Sequence, residues 1–192
     1  MIFYPVFATV TRLMFKVFYK LEVTGLENIP KSGRTVICSN HVGNLDPVLL
    51  TAVIPRKLNY MGKKELFDNK FIGYWIKKLG AFPVDRDSTG LRAIKIAIKL
   101  LKEDKVFAIF PEGRRTQSEG DNVAKPGIAM ISVKGKSSIT PIHIDTQYEL
   151  FKKIKINIGS PIHFDEYFDQ KLTTEKYEDL SRVILKEIYK LK

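Results

Sequence analysis

Residues 35–47 read Thr-Val-Ile-Cys-Ser-Asn-His-Val-Gly-Asn-Leu-Asp-Pro, and this stretch decides the fold predicted for the chain. Its first four residues are β-branched or apolar, which favours a buried strand, whereas Asp46-Pro47 is typical of the first turn of a helix. His41 is therefore predicted to lie on a turn at the carboxyl end of a strand, with Asp46 within reach of its ring. In open α/β sheets this edge holds ligands and catalytic groups.

A histidine paired with a carboxylate is suited to moving a proton. The imidazole titrates near neutral pH and can take a proton from an alcohol, and a carboxylate on its other nitrogen fixes the tautomer and stabilises the imidazolium. The chain contains no Gly-x-Ser-x-Gly motif, and its one cysteine, Cys38, falls in the predicted buried strand. We therefore expect a substrate hydroxyl to attack directly. On its own the His-x4-Asp spacing also fits two residues with structural roles.

The composition predicts one globular domain with an anionic partner. The chain has 192 residues, of which 44% are hydrophobic and 28% charged, which excludes a disordered protein. Its formal net charge is +11, which favours nucleic acid, an acidic membrane surface or a phosphorylated substrate. One cysteine excludes an internal disulfide and fits a reducing compartment. The N-terminus has no cationic segment or cleavage site typical of a secretory signal.

The first residues predict an interfacial helix. Residues 2–23 are rich in aromatic and aliphatic side chains, with Arg12, Lys16 and Lys20 at a spacing of four, and these charges make the apolar run too short to span a bilayer. We predict an amphipathic membrane-association helix within residues 1–25 and a single α/β domain over residues 26–192. The alternative is an ordinary amphipathic helix whose apolar face packs on the domain.

Beyond the N-terminal helix, the chain alternates strand-like and helix-like segments. This order predicts a mostly parallel sheet covered by helices. The predicted strands are 35–38, 58–62, 81–84, 106–110, 139–144 and 154–158, and the predicted helices are 48–54, 70–79, 89–102, 125–134 and 174–192.

Three further motifs lie at predicted strand ends. Residues 110–116 read Phe-Pro-Glu-Gly-Arg-Arg-Thr, in which glycine allows close approach of a ligand and arginine can bind phosphate oxygens. Residues 80–86 contain the predicted strand 81–84 and place Arg86 just after its end. Residues 139–142 place a proline inside a strand, which predicts a bulge or a sheet edge. Taken singly, each motif also fits an ordinary turn with solvated side chains.

Together and in this order, the four motifs resemble the glycerolipid acyltransferase family, and most closely its bacterial lysophosphatidic acid acyltransferases. The resemblance spans about residues 35–145 and rests on Asn-His-x4-Asp at 40–46, the glycine and arginine at 80–86, Phe-Pro-Glu-Gly-x-Arg-Thr at 110–116 and the proline segment at 139–142. It implies a glycerol-3-phosphate acyltransferase-like fold and transfer of an acyl chain to a glycerol hydroxyl.

The resemblance also implies roles for single residues. His41 would be the general base and Asp46 would orient it. The positions that match the family's acceptor phosphate site are Arg86, Glu112, Gly113 and Arg115. Lys63 and Lys125 match basic positions that are common near this site and are included as predicted phosphate-binding residues. Two positions depart from the family pattern: Gly43 replaces a common serine, and Arg114 stands where a small hydroxyl residue is common. We expect these departures to affect substrate preference at most.

The substrates implied by the resemblance are lysophosphatidic acid and an acyl thioester, either acyl-CoA or acyl carrier protein. No cofactor or metal is expected, and nucleic acid is not an expected partner. The expected location is the cytoplasmic surface of the inner membrane. Glycerol 3-phosphate or another lysophospholipid is the alternative acceptor.

Two further hypotheses remain open at this point. A non-enzymatic binder of nucleic acid or anionic lipid would explain the net charge but give His41 and Asp46 no task. A thioester hydrolase would use the same two residues to activate water. A metal site has little support, because His143 and His163 lack ligand spacing with His41.

Overall fold

The structure, a computed structural model, describes residues 3–84, 90–113 and 125–192. The strands are β1 (Lys20–Thr24), β2 (Thr35–Ser39), β3 (Leu58–Lys63), β4 (Ala81–Val84), β5 (Val106–Ile109), β6 (Ser138–Asp145) and β7 (Lys153–Ile158). The helices are α1 (Phe3–Phe18), α2 (Asp46–Val53), α3 (Lys70–Lys78), α4 (Leu91–Lys102), α5 (Gly127–Gly135) and α6 (Thr174–Tyr189). The predicted strands and helices are all present, within a few residues of their predicted ends.

The described strands form one sheet in the order β1-β7-β6-β2-β5-β3-β4. Neighbouring strands in the described chain are parallel except for β6 and β7. Helices cover both faces, since α1 and α2 pack on one side while α4, α5 and α6 pack on the other. The prediction of a mostly parallel sheet covered by helices is confirmed.

Two apolar cores, one on each face, fix the sheet between the helix layers. On the first face Phe15 of α1 and Leu49 of α2 are fully buried against sheet residues such as Ile37. On the second face the fully buried residues include Leu101 of α4 and Ile184 of α6. Because β2 carries buried side chains on both faces, its carboxyl end is held by the two cores together.

The prediction of one helix over residues 2–23 is wrong at its carboxyl end. The helix ends at Phe18, and Lys20–Thr24 forms β1, an edge strand parallel to β7. Lys20 therefore belongs to the sheet, not to a helical cationic stripe. Arg12 is also engaged within the protein, because its guanidinium donates to the carbonyl oxygens of Ala52 (2.7 Å) and Val53 (3.5 Å).

A stripe of apolar side chains on α1 is nevertheless exposed. Val6, Val10, Leu13 and Val17 are each at least half exposed and recur at a helical spacing. On the opposite side of the helix, Phe15 is fully buried. Among the described residues, no helix combines the length and the hydrophobicity needed to cross a membrane.

The proline of β6 lies at an offset in strand pairing. Two residues of β6 separate Ile139 from Ile142, whereas their partners Ile162 and Ile158 are separated by three residues. The carbonyl of Pro141 accepts a hydrogen bond from the amide of Gly159 at this offset. Because proline has no backbone N–H, Pro141 leaves no donor unpaired. The additional residue lies in the segment after β7, whereas β6 itself continues without interruption through Pro141 and is an interior strand between β2 and β7 rather than an edge.

The order of strands brings the predicted site residues to one edge of the sheet. β2 lies between β6 and β5, and all three are parallel, so their carboxyl ends face the same side. The turn after β2 carries His41, the turn after β5 carries Glu112, and the segment after β6 carries Tyr148. This placement makes the carboxyl edge of β2 the candidate site.

Candidate active site

His41 and Asp46 form the predicted pair. Nδ1 of His41 lies 2.6 Å from Oδ2 of Asp46, the Asp46 side chain is fully buried, and the His41 side chain is 19% exposed. Since Nδ1 is engaged by the carboxylate, Nε2 is the nitrogen that can take up a proton. The predicted contact is therefore present, with one partner buried and the other open to a substrate.

Asp46 is held by donors from three further groups. Its Oδ2 also accepts the backbone amides of Val42 (2.8 Å) and Gly43 (2.9 Å), and its Oδ1 accepts the hydroxyl of Tyr148 (2.5 Å). These bonds compensate the burial of a charged carboxylate. They also fix which oxygen faces the imidazole, so that His41 donates from Nδ1.

The turn after β5 orients the histidine from its other side. The ring of Phe110 stacks on the His41 imidazole at 4.2 Å between centroids and 19° between planes. Glu112, which is 6% exposed, accepts the His41 backbone amide through Oε2 at 3.3 Å and the Tyr189 hydroxyl through Oε1. Glu112 thus joins the turns after β2 and β5 to α6.

The predicted phosphate-binding residues are only partly in the described chain. Gly113 has φ +66°, and Nζ of Lys125 lies 3.4 Å from the position that a Cβ atom on Gly113 would occupy. Lys63 ends β3 on the same sheet edge, but its ammonium lies 3.5 Å from a carboxylate oxygen of Glu65. Arg86 and Arg115, like Arg114, fall outside the described residues.

Asn40 fastens the end of β2 to β6. Its side-chain amide donates to the carbonyl of Ile144 (2.8 Å), and its oxygen accepts the amide of the same residue (2.7 Å). Asn40 is 4% exposed, so both bonds are shielded from water. The residue before His41 is therefore fixed to the neighbouring strand.

We expect Asn40→Ala to lower the free energy of unfolding by about 2–3 kcal/mol, because the variant removes the side chain that bonds to both the backbone amide and the backbone carbonyl of Ile144. Urea unfolding followed by circular dichroism measures this loss. The control is Asn28→Ala, which removes one side-chain bond of 2.9 Å to the Ile158 carbonyl. A loss no larger than that of the control would show that the paired bonds add nothing.

The described residues offer no activated nucleophile next to His41. Burial raises the pKa of the Cys38 thiol, with a smaller contribution from the charge of Glu112, so the thiolate is strongly disfavoured. Within the described ranges, no group of three His, Cys, Asp or Glu side chains is placed to bind a metal ion. An imidazole placed in this way on a turn can act chemically as a general base.

Four residues that hold the pair have no role that the sequence motifs predict. Phe110 and Asn40 lie within motifs, and Tyr148 and Tyr189 lie outside them. Tyr148 follows the end of β6 by three residues, much as His41 follows the end of β2 by two. That parallel position is the one signal in the sequence, and it becomes visible only when β6 is known to neighbour β2.

A family model described as Acyltransferase matches residues 20–145, and the chain belongs to this acyltransferase family. The resemblance to the glycerolipid acyltransferases and the prediction of an acyltransferase enzyme are confirmed. The match includes β1 and ends with β6, so it contains His41, Asp46 and the turn after β5.

Similar proteins from bacteria carry a more specific name. A "1-acyl-sn-glycerol-3-phosphate acyltransferase" of Bacillus subtilis is 42% identical over 149 residues, which cover 74% of this chain and 74% of that protein. A protein of the same name from Streptococcus pneumoniae is 33% identical over 153 residues, or 76% of this chain and 56% of its own length. The crystal structure of the LPA acyltransferase PlsC from Thermotoga maritima matches with a TM-score of 0.73 at 22% identity. That likeness covers 98% of this chain and 79% of the other, and it shows the same fold.

Proposed function

We propose that this acyltransferase transfers an acyl chain from an acyl thioester to the sn-2 hydroxyl of 1-acyl-sn-glycerol 3-phosphate, giving phosphatidic acid. The observation that carries the proposal is the His41–Asp46 pair, with its 2.6 Å contact at the carboxyl edge of β2. The names of the relatives from Bacillus subtilis and Streptococcus pneumoniae support this acceptor.

The proposed reaction is a direct transfer in which His41 handles the proton. Nε2 takes the proton of the acceptor hydroxyl as its oxygen attacks the thioester carbonyl, and Asp46 stabilises the imidazolium. The tetrahedral intermediate then collapses, the carbon–sulfur bond breaks, and His41 returns the proton to the departing sulfur. The products are the ester and a free thiol, and the described residues around His41 need form no covalent bond to the acyl group.

The acceptor phosphate is proposed to bind beside the turn after β5. Lys125 places its ammonium next to Gly113, where the missing side chain leaves room for a ligand. Arg86, Arg115 and Lys63 remain predicted partners of the phosphate. Glu112 contributes by holding this turn, because its oxygens accept protein donors and a carboxylate does not attract phosphate.

The acyl chains of both substrates point to a lipid surface, and α1 offers a means of binding it. Its exposed stripe of valines and Leu13 can enter the headgroup region of a membrane, while Lys16, which is exposed near the helix end, attracts anionic lipid. We propose peripheral association with the cytoplasmic surface of the inner membrane. The acyl donor is either acyl-CoA or acyl carrier protein.

We expect the double variant Val10→Glu/Leu13→Glu to lose at least about tenfold in affinity for phosphatidylglycerol vesicles, because two exposed apolar contacts become charged and repelled by the lipid. Vesicle sedimentation measures this change. Point variants are needed because deletion of the first twenty residues would remove Phe15 from the core. Val183→Glu/Lys186→Gln, at two exposed positions on α6, changes the net charge by the same amount, and this control should retain binding. Equal binding by the wild type and the α1 variant would refute the role of this stripe.

A comparison of acceptors tests the proposed reaction. The protein is supplied with an acyl thioester and, separately, with lysophosphatidic acid, glycerol 3-phosphate, an uncharged monoacylglycerol or no acceptor. The proposal predicts phosphatidic acid from lysophosphatidic acid, and preferential acylation of glycerol 3-phosphate would replace the acceptor while keeping the reaction type. Absence of transfer to any acceptor, together with salt-sensitive nucleic-acid binding, would favour a non-enzymatic binder.

A further inference from the structure

We propose that Tyr148 is a positioning residue of the catalytic pair, and that its hydroxyl holds Asp46 in the orientation in which Asp46 bonds to His41. The inference rests on the proposed function, because it gives the tyrosine a task only if His41 is the base. Tyr148 lies outside the four sequence blocks, three residues beyond the end of β6.

The two carboxylate oxygens of Asp46 accept hydrogen bonds from different parts of the chain. Oδ2 accepts His41 and the amides of Val42 and Gly43, all of which lie on the turn after β2. Oδ1 accepts Tyr148 at 2.5 Å, across 102 residues of sequence. The tyrosine thus supplies the bond that ties the carboxylate to a second strand, and it opposes rotation of the carboxylate about its own axis.

Gly43 provides the space that the tyrosine ring occupies. A Cβ atom at Gly43 would lie 2.7 and 2.8 Å from two ring carbons of Tyr148, and 3.8 Å from Oδ1 of Asp46. Any side chain at position 43 would therefore displace the ring that carries the donor hydroxyl. The backbone at Gly43 does not have a positive φ, so the close approach of Tyr148 explains this glycine better than its backbone conformation does.

The backbone of Tyr148 is in a conformation that costs free energy. Its φ is +56°, in the left-handed region that aromatic residues rarely adopt, and its amide is held by the Thr146 hydroxyl at 3.0 Å. Strain that surrounding contacts maintain is typical of residues that must aim a side chain. In this protein the backbone conformation of Tyr148 places its ring over Gly43 and its hydroxyl against Asp46.

Tyr148 remains a hydrogen-bond donor at neutral pH. Burial, followed by the neighbouring charge of Asp46, raises the pKa of the phenol, so the hydroxyl keeps its proton. The other described titratable groups facing the pair are Glu112, which accepts the His41 amide, and Tyr19, whose ring packs edge-on against Tyr148 at 6.4 Å. Neither group changes in the variant described next.

The test replaces Tyr148 by phenylalanine, which keeps the ring and removes the donor. Loss of this bond leaves more negative charge on Asp46 to stabilise the imidazolium, so the His41 ring signals should change at a higher pH in the variant than in the wild type. The turnover number with lysophosphatidic acid should fall about tenfold, with less than about a twofold change in KM. NMR follows the His41 ring signals, which are assigned by their absence in His41→Gln.

The matched control is Tyr60→Phe. This variant also loses a hydrogen bond from a tyrosine hydroxyl, which donates to the carbonyl of Pro47 at 3.0 Å. Pro47 is the residue after Asp46, but the Asp46 carboxylate keeps all of its own hydrogen bonds. It should leave the His41 titration in place even if stability falls. The proposal is overturned if His41 titrates at the same pH in Tyr148→Phe and in the wild type. This outcome differs from a failure of the proposed function. In that case the wild type would not acylate lysophosphatidic acid, but NMR would still show whether Tyr148 affects His41.

Discussion

The variant His41→Ala is expected to lose acyl transfer by about 10²–10⁴-fold while keeping its fold. Nε2 of His41 is the proposed proton acceptor, and no other described imidazole lies on the turn after β2. The side chain is partly exposed and stacks on the ring of Phe110, and its removal leaves the buried carboxylate its two amide donors and Tyr148. Initial rates with lysophosphatidic acid and circular dichroism of the same sample measure both effects.

His163→Ala is the matched control for this prediction. His163 has a side chain that is 60% exposed and lies 3.9 Å from Asp165, on a segment beyond β7. Its loss should leave the rate unchanged. If His41→Ala keeps even a tenth of the wild-type rate, His41 is not the essential base.

The variant Asp46→Asn is expected to lower the rate by about 10²-fold or more with little change in structure. The amides of Val42 and Gly43 will hold the asparagine oxygen where Oδ2 lies, so its NH₂ group faces the Tyr148 hydroxyl. The imidazole therefore keeps its tautomer, and the loss reports the missing charge. Steady-state rates across pH measure it.

The sign of the accompanying pH effect separates Asp46 from Tyr148. Without the carboxylate charge the imidazolium is less stable, so His41 should titrate at lower pH in Asp46→Asn, whereas it should titrate at higher pH in Tyr148→Phe. Asp145→Asn, at the exposed carboxyl end of β6, is the control. A rate for Asp46→Asn within about threefold of the wild type would contradict the role of the charge.

Most helices and strands could be predicted because local signals agree with their environment. Strand β2 has an apolar centre at residues 36–38 and is buried on both faces, and α2 begins at Asp46-Pro47 and ends before Pro55. The exception is β1, where Lys-Leu-Glu-Val-Thr alternates as an edge strand does, with exposed polar and half-buried apolar residues. The spacing of Arg12, Lys16 and Lys20 obscured this alternation, because a helical spacing of charges continued into the strand.

The order of strands could not be predicted, and it decides how the site is assembled. Although β2 and β3 are consecutive in the chain, β5 lies between them, and β6 lies on the other side of β2. Pairing with β5 brings Phe110 and Glu112 to His41, and pairing with β6 brings Tyr148 to Asp46. These contacts depend on the register between strands that are far apart in sequence, so they cannot be predicted from a local sequence pattern.

The pair itself could be predicted because its residues lie five positions apart on one turn. Of the four residues that hold it, Asn40 and Phe110 lie within the motifs, whereas Tyr148, after β6, and Tyr189, in α6, lie outside them. Sequence thus identified the groups proposed to meet the substrate, whereas the groups that orient them required the tertiary structure.

Release of free thiol from an acyl thioester, measured with and without lysophosphatidic acid, tests the central claim most directly. Direct transfer from a base without a protein nucleophile predicts no thiol release before the acceptor is added, and then one thiol for each phosphatidic acid formed. A burst of about one thiol per protein without acceptor would reveal an acyl-enzyme and contradict the account. Steady release of thiol and free fatty acid at the same rate with and without acceptor would show a hydrolase instead.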